Sequence, residues 1–160
     1  MDLDEIMAAF AAESGIKGLS ADEDGTYSLS IDDMSVSFME IPETGRLATL
    51  AKVCDLPSEG RESLYRVMME AMFMGRATGG AMFSVEPEGD AVFLQRVDPL
   101  AVMDPDGFKA MLEQFVNVLE EWRKLVVDFR EVAPKLESVR QETQEETREF
   151  GLGTGGFMQV

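Results

Sequence analysis

A long amphipathic helix in the C-terminal half constrains the fold more than any other feature of the sequence. Asp104 suits the N-cap of this helix, Pro105 suits its first position, and Pro134 predicts its end. A stripe of about six turns needs a broad apolar surface to cover it, such as one face of a sheet. The apolar residues recur every three or four positions: Phe108, Met111, Leu112, Phe115, Val118, Leu119, Trp122, Leu125, Val126 and Phe129.

Five stretches with strand-like patterns predict that sheet. In the first stretch, Tyr27, Leu29 and Ile31 alternate with serines, which is typical of a strand with one buried face. The turn residues Asp32-Asp33 and the proline–glycine segment 87–90 predict two hairpins. The five predicted strands cover residues 26–31, 34–41, 47–54, 81–86 and 91–97.

Two shorter helices complete the predicted order. Apolar residues at helical spacing predict a first helix that ends at Gly15 and a second that ends near Gly75. The chain is therefore predicted to be an α+β protein with a five-stranded antiparallel sheet and three helices, in the order α-β-β-β-α-β-β-α. One domain is expected over residues 1–133. Residues 134–160 are expected to form a polar, glycine-ended, mobile tail with room for a short helix in its first half.

The net charge of the chain limits the classes of partner that it can bind. The sequence holds 31 acidic and 14 basic residues, for a net charge of -17. Residues 1–45 contain 11 acids and a single base, Lys17. This field opposes binding to nucleic acid or anionic lipid, and no apolar run is long enough to insert into a membrane. An acidic surface suits a basic or aggregation-prone partner, and it also serves solubility alone.

The sequence offers little for catalysis, metal or cofactor binding. Histidine is absent, and the single cysteine, Cys54, excludes an internal disulfide. The glycines at 151, 153 and 156 have dinucleotide-binding spacing, but a polar stretch precedes them and only four residues follow. The acidic run 22–24 lacks the later ligands of a calcium loop. We therefore expect no enzyme activity, no metal and no cofactor.

Two groups of apolar residues are predicted to bind other chains. The sequence contains 12 methionines, a residue common on adaptable binding surfaces. Part of the second helix is apolar outside its inward stripe, which favours contact with a second copy of the chain. The residues predicted to lie at this contact, on the second helix and the fourth strand, are Met69, Phe73, Met74, Met82 and Phe83. The first helix and the second strand are predicted to contact a foreign segment, and the alternative is that they serve the core alone. The residues concerned are Leu3, Ile6, Met7, Phe10, Val36, Phe38 and Ile41.

Four segments together resemble a known family. The segments 64–73, 79–85, 92–96 and 108–125 are similar, in sequence and in order, to class I type III secretion chaperones of the CesT/Tir type. The resemblance covers roughly residues 1–130. The sequence departs from the family pattern at Met72, where asparagine is common in the family, and in its long C-terminal tail.

The resemblance implies both a structure and a function. It implies a homodimer of α+β protomers, joined largely through the second helix and the neighbouring strand. It also implies that an extended segment near the N-terminus of a secreted effector wraps around the dimer, fills apolar patches and adds a strand to the sheet. Such chaperones use no ATP and deliver their effector to a separate secretion ATPase. The expected location is the cytoplasm of a Gram-negative bacterium.

Three alternatives remain open at this point. A dimeric regulatory or adaptor module of the same fold would show the same apolar groove. An acidic mimic of nucleic acid would bind a basic protein in a salt-sensitive way. A small hydrolase that uses two carboxylates would need an acidic pair in a deep pocket.

Overall fold

The computed structural model describes residues 2–87 and 89–151, with side chains described as far as residue 129. The helices are α1 (Leu3–Ser14), α2 (Arg61–Met72) and α3 (Pro105–Gly151). The strands are β1 (Tyr27–Ile31), β2 (Met34–Ile41), β3 (Arg46–Asp55), β4 (Met82–Val85) and β5 (Ala91–Pro99). Short 3₁₀ turns cover Phe73–Gly75 and Leu100–Val102. The predicted α+β class and element order are confirmed.

All strand pairs in the sheet are antiparallel, and the spatial order is β1-β2-β3-β5-β4. The edge strands are therefore β1 and β4, at opposite sides of the sheet. The β1–β2 hairpin closes over Asp32 and Asp33, with Ile31 paired to Met34. Asp32 adopts a left-handed backbone (φ 52°), which aspartate tolerates better than most residues.

All three helices contribute to one apolar core on a single face of the sheet. Phe108 of α3 is fully buried and makes edge-to-face contacts with two other rings. Its ring centroid lies 5.2 Å from that of Phe10 on α1 and 5.3 Å from that of Phe38 on β2. These contacts join the first helix, the last helix and the sheet in one packed centre.

The starts of the helices follow from local hydrogen bonds. At α1 the Glu5 N–H donates to Asp2 Oδ1 (2.9 Å), and the Asp2 N–H donates to Glu5 Oε2 (3.1 Å), which forms a capping box. Gly15 ends α1 in a left-handed conformation (φ 68°). At α3 the Gly107 N–H donates to Asp104 Oδ1 (2.8 Å), so the predicted N-cap is confirmed.

The predicted end of α3 at Pro134 is wrong, because the helix continues to Gly151. A proline inside a helix removes one hydrogen bond and costs about 3 kcal/mol. The residues that follow Pro134 are mostly glutamate, glutamine, lysine and arginine, which favour the helix and offset that cost. The domain boundary at 133/134 and the mobility of the segment stay predictions, and residues 152–160, with two of the three glycines noted above, lie outside the described residues.

A glycine-rich loop between α2 and β4 is held against α3. The Trp122 indole N–H donates to the Ala77 carbonyl (3.0 Å), and the Trp122 ring packs edge-to-face on Phe83 (4.7 Å). A Cβ on Gly79 would lie 3.0 Å from Gln114 Nε2, and the φ of Gly79 is +59°, so glycine is needed there. These contacts fix the positions of α2 and β4 relative to α3.

Replacing Tyr27 with phenylalanine tests the contact between β1 and α1. The Tyr27 hydroxyl donates to Asp4 Oδ1 (2.8 Å), and burial, followed by this hydrogen bond, raises the Tyr27 pKa above its ordinary 10.0. The folded state thus favours the protonated phenol. The stabilisation is complete below about pH 10 and is lost as pH rises through the folded-state pKa.

We expect Tyr27→Phe to lower the free energy of unfolding by about 1 kcal/mol near neutral pH, with the deficit shrinking above about pH 10. Urea denaturation at several pH values measures this. The control is Tyr65→Phe, which removes the other tyrosine hydroxyl. A deficit that does not change across this pH range would contradict the prediction.

Candidate functional site

An exposed apolar surface lies on α2, the 3₁₀ turn after it and β4. We call it the α2–β4 patch. The Phe83 N–H donates to Met72 Sδ (3.1 Å), which holds β4 beside α2. Large apolar surfaces of this kind are uncommon on isolated protomers and mark binding sites. Its members and their exposed fractions are Met69 67%, Phe73 70%, Met74 77%, Met82 44% and Val85 41%.

Met74 has an unusual backbone within this patch. Its φ is 59°, in the left-handed region that a residue with a side chain seldom adopts. Gly75, with a φ of 65°, follows it, and the chain turns away from α2 toward β4. The turn leaves the Phe73 and Met74 side chains on the surface, although both are strongly apolar.

The structure partly agrees with the sequence in placing the predicted dimer residues. Met69, Phe73, Met74 and Met82 are exposed and lie on the α2–β4 patch. Phe83 instead points toward α3 and packs on Trp122, so it is partly buried against the core. The reason is strand alternation, which places neighbouring residues on opposite faces of β4.

Six of the seven residues predicted to contact a foreign segment are core residues, and the structure corrects that expectation. They belong to the apolar core, and their exposed fractions do not exceed 7%: Leu3, Ile6, Met7, Phe10, Val36 and Phe38. The inward stripe of α1 and the inward residues of β2 face one another across the core. Only Ile41 is half-exposed.

The alternate residues of the same strands form a second apolar surface, which we call the outer sheet face. Met39, Ala48 and Val97 lie side by side on β2, β3 and β5, with Leu50 and Phe93 farther along the sheet. All five side chains are half-buried, and none belongs to the core or to the residues packed on it. Sequence reasoning missed this face, although the alternation of β2 contained Met39 as a signal.

A third apolar surface is the groove between α1 and α3, the α1–α3 groove, with a volume of about 460 Å³. Lys109 and Glu13 form an ion pair across it (3.1 Å). Sequence reasoning did not single it out, because its residues are far apart in the chain. It is lined by Phe10, Ser14, Ile31, Lys109, Leu112, Glu113, Val116 and Asn117.

A cleft of about 660 Å³ lies between the β1–β2 turn, β3 and α3. Its cations are paired within the chain. Arg123 contacts Asp33 (2.8 Å), Lys52 contacts Asp55 (2.6 Å) and Lys124 contacts Glu120 (3.7 Å). Because these pairs satisfy one another, the cleft presents little unbalanced charge to a ligand.

Among the residues that the structure describes, no three cysteine, aspartate or glutamate side chains are grouped as a metal site requires. Within the same part of the chain, no helix combines the length and apolarity needed to cross a bilayer.

Exposed apolar surfaces on an α+β protomer are typical of proteins that bind other polypeptides. The sequence profile of the Tir chaperone protein (CesT) family matches residues 5–123. A Chlamydia pneumoniae protein, CPj0713/CpB0740, is 30% identical over 122 residues, which cover 75% of this chain and 92% of that protein.

Solved structures of other proteins share this fold. The ExsC–ExsE complex contains a chain that is 27% identical, with a TM-score of 0.66, over 78% of this chain and 96% of that one. A chain of the HopA1–SchA chaperone–effector complex matches with 12% identity, a TM-score of 0.64 and coverage of 76% and 92%. The Yersinia pestis type III secretion chaperone SycH, in complex with a fragment of YscM2, has 18% identity, a TM-score of 0.57 and coverage of 74% and 97%.

The chain belongs to the CesT family of Tir chaperone proteins, and it is a type III secretion chaperone that binds an effector. The resemblance found in the sequence is thereby confirmed.

Proposed function

We propose that the protein acts as a homodimer that holds the N-terminal segment of one effector in the bacterial cytoplasm. It keeps the segment unfolded and secretion-competent without ATP and presents it to a separate secretion ATPase. The observation that carries this proposal is the coexistence of the α2–β4 patch and the outer sheet face on one small protomer. One apolar surface serves a second copy, and the other serves the effector.

The α2–β4 patch supports the homodimer. Burying its five exposed apolar side chains on both protomers would contribute about 1.5–3 kcal/mol for each fully buried side chain. The patch lies at the β4 edge of the sheet, so a two-fold axis can pair it with its own copy. Methionine supplies a flexible packing surface there.

The outer sheet face supports effector binding. Its side chains alternate with inward-facing residues along the strands, which is a pattern that an extended segment can read with its own alternate side chains. The β1 edge offers unpaired backbone groups for an added strand. The HopA1–SchA structure is a chaperone–effector complex of this fold, which supports the same role here.

Leu50→Glu tests the proposal on the outer sheet face. The tagged chain is recovered from its own bacterium, co-purified proteins are identified by mass spectrometry, and the mass of the complex is measured by light scattering. We expect a complex of two chaperone chains with one effector, whose N-terminal region resists protease only while bound. Leu50→Glu places a charge among apolar side chains and should reduce co-purified effector at least about tenfold, since each 1.4 kcal/mol is a factor of ten.

The matched control is Val102→Glu, because Val102 is 82% exposed on the turn after β5 and belongs to none of the three surfaces. Circular dichroism checks that both variants fold. Recovery of the dimer alone, or with a folded protein that salt releases, would favour the regulatory or nucleic-acid-mimic alternative.

A further inference from the structure

We propose that Trp122 and Gln114 of α3 are positioning residues for the homodimer, because they set the relative placement of the two elements that carry the α2–β4 patch. This inference rests on the proposed function, since it concerns how the dimer surface is held in shape. Both residues lie outside the patch, and Trp122 is only 4% exposed. They act on the patch through the chain that connects α2 to β4.

The α2–β4 patch has two parts, which are separated by this connection. Phe73 and Met74, 70% and 77% exposed, lie at its start, and Met82, 44% exposed, follows its end. Residues 75–81 lie between the two parts. A second copy that binds both parts needs them at a fixed spacing, because side chains at an interface pack as closely as those in a protein interior.

Trp122 contacts the connection and both elements that it joins. Its indole N–H donates to the Ala77 carbonyl (3.0 Å), and the Ala77 N–H donates to the Ala71 carbonyl of α2 (3.4 Å). On the side of β4, the Trp122 ring centroid lies 4.7 Å from that of Phe83. Because neighbouring residues of a strand point to opposite faces, a Phe83 ring held inward keeps Met82 on the surface. One side chain of α3 thus links the two parts of the patch.

Gln114 supplies a second contact between α3 and the same connection. Its amide oxygen accepts from Arg96 Nη1 (2.8 Å), and its amide nitrogen lies where a Cβ on Gly79 would approach to 3.0 Å. Thr78, next to Gly79, is 1% exposed, and its hydroxyl has no hydrogen-bond partner among the residues that the structure describes. A buried hydroxyl without a partner costs free energy. The contacts from α3 therefore hold the connection in a position that carries such a cost.

Trp122→Phe tests the hydrogen bond, because it keeps an aromatic ring beside Phe83 and removes the N–H that donates to Ala77. We expect the dimer dissociation constant of the full-length protein to rise at least about tenfold. Analytical ultracentrifugation with fluorescence detection, on protein labelled at its N-terminus, measures this constant down to nanomolar concentrations. Hydrogen exchange should become faster over residues 73–83 and stay unchanged in β1, β2 and β3.

The control for a general loss of stability is Phe108→Leu. Phe108 is a buried side chain of α3 whose ring contacts lie on α1 and β2. This variant should lower the stability of the protomer and change the dimer dissociation constant by less than about twofold, since the site is remote from the patch. Circular dichroism checks that each variant is folded at the temperature of the measurement.

Gly79→Ala tests the same placement from the side of the connection and does not depend on whether Trp122→Phe folds. The added methyl group would press on Gln114 at a φ of +59°, so the connection must shift, and the dissociation constant should again rise at least about tenfold. The matched control is Gly25→Ala, in the loop before β1. Gly25 has a φ of +78°, but a Cβ there would meet none of the described atoms within 4 Å.

The outcomes separate this inference from the homodimer proposal. A wild-type dissociation constant in a folded Trp122→Phe or Gly79→Ala protein would overturn the inference, and so would an equal rise in either control. In each of these cases a dimeric wild type leaves the homodimer proposal standing. If the wild type is a monomer at every concentration, both proposals fail.

Discussion

Phe108→Ala is expected to lower the free energy of unfolding by about 3–5 kcal/mol, the range typical of truncating a fully buried phenylalanine. Phe108 is 0% exposed and is packed edge-to-face between Phe10 and Phe38. Truncation would remove both ring contacts and leave a cavity bounded by α1, β2 and α3. Because domains of this size are stable by only about 5–15 kcal/mol, a large part of the total stability would be lost.

Urea denaturation followed by circular dichroism measures this effect. Phe108→Leu keeps most of the volume and should cost no more than about 1.5 kcal/mol. Val102→Ala removes methyl groups at an 82% exposed position and should change stability by less than about 0.5 kcal/mol. We expect the loss of stability to be largest for Phe108→Ala, intermediate for Phe108→Leu and smallest for Val102→Ala. Any other order would contradict the assignment of Phe108 as the centre of the core.

The double substitution Met69→Glu and Phe73→Glu is expected to convert the proposed dimer to a monomer of 17.7 kDa. Both side chains are about two-thirds exposed in the protomer, so the substitutions should leave its fold intact. In a symmetric interface the pair would place four carboxylates in apolar surroundings, at a cost of several kcal/mol. We expect the dimer dissociation constant to rise at least about 100-fold.

Analytical ultracentrifugation over a range of protein concentrations measures the mass. The control is Val127→Glu, which places one carboxylate at a 58% exposed position of α3 outside the α2–β4 patch. If the double variant keeps twice the protomer mass, the α2–β4 patch is not the dimer interface. If the wild type is itself monomeric, the homodimer proposal fails, and the patch becomes a candidate for effector contact.

The element order could be read from the sequence because its signals are local. The N-cap Asp104 lies three residues from the Gly107 N–H that it accepts from, so the start of α3 could be predicted. Alternation in β1 and the Asp32-Asp33 turn likewise indicated the first hairpin. Most of the predicted α3 stripe is buried, because helical spacing shows which residues share a face, whereas Leu125 is 52% exposed.

The residues of the candidate site could be predicted less well from the sequence. An alternating strand has two faces, and the sequence of β2 offered Val36 and Phe38 on one and Met39 and Ile41 on the other. Only the packing of α1 and α3 showed that Val36 and Phe38 are buried and that Met39 and Ile41 lie on the side of the outer sheet face. The same ambiguity placed Phe83 in the predicted dimer interface, although it packs on Trp122.

By itself, the sequence determined the order of helices and strands, the acidic character and the family resemblance, because these depend on neighbouring residues and on composition. The tertiary structure alone decided which strand face is covered and which residues meet in the α1–α3 groove. Phe10, Ile31 and Leu112 come together there only because helices distant in the chain pack on one sheet. Such contacts depend on long-range packing, which local spacing cannot specify.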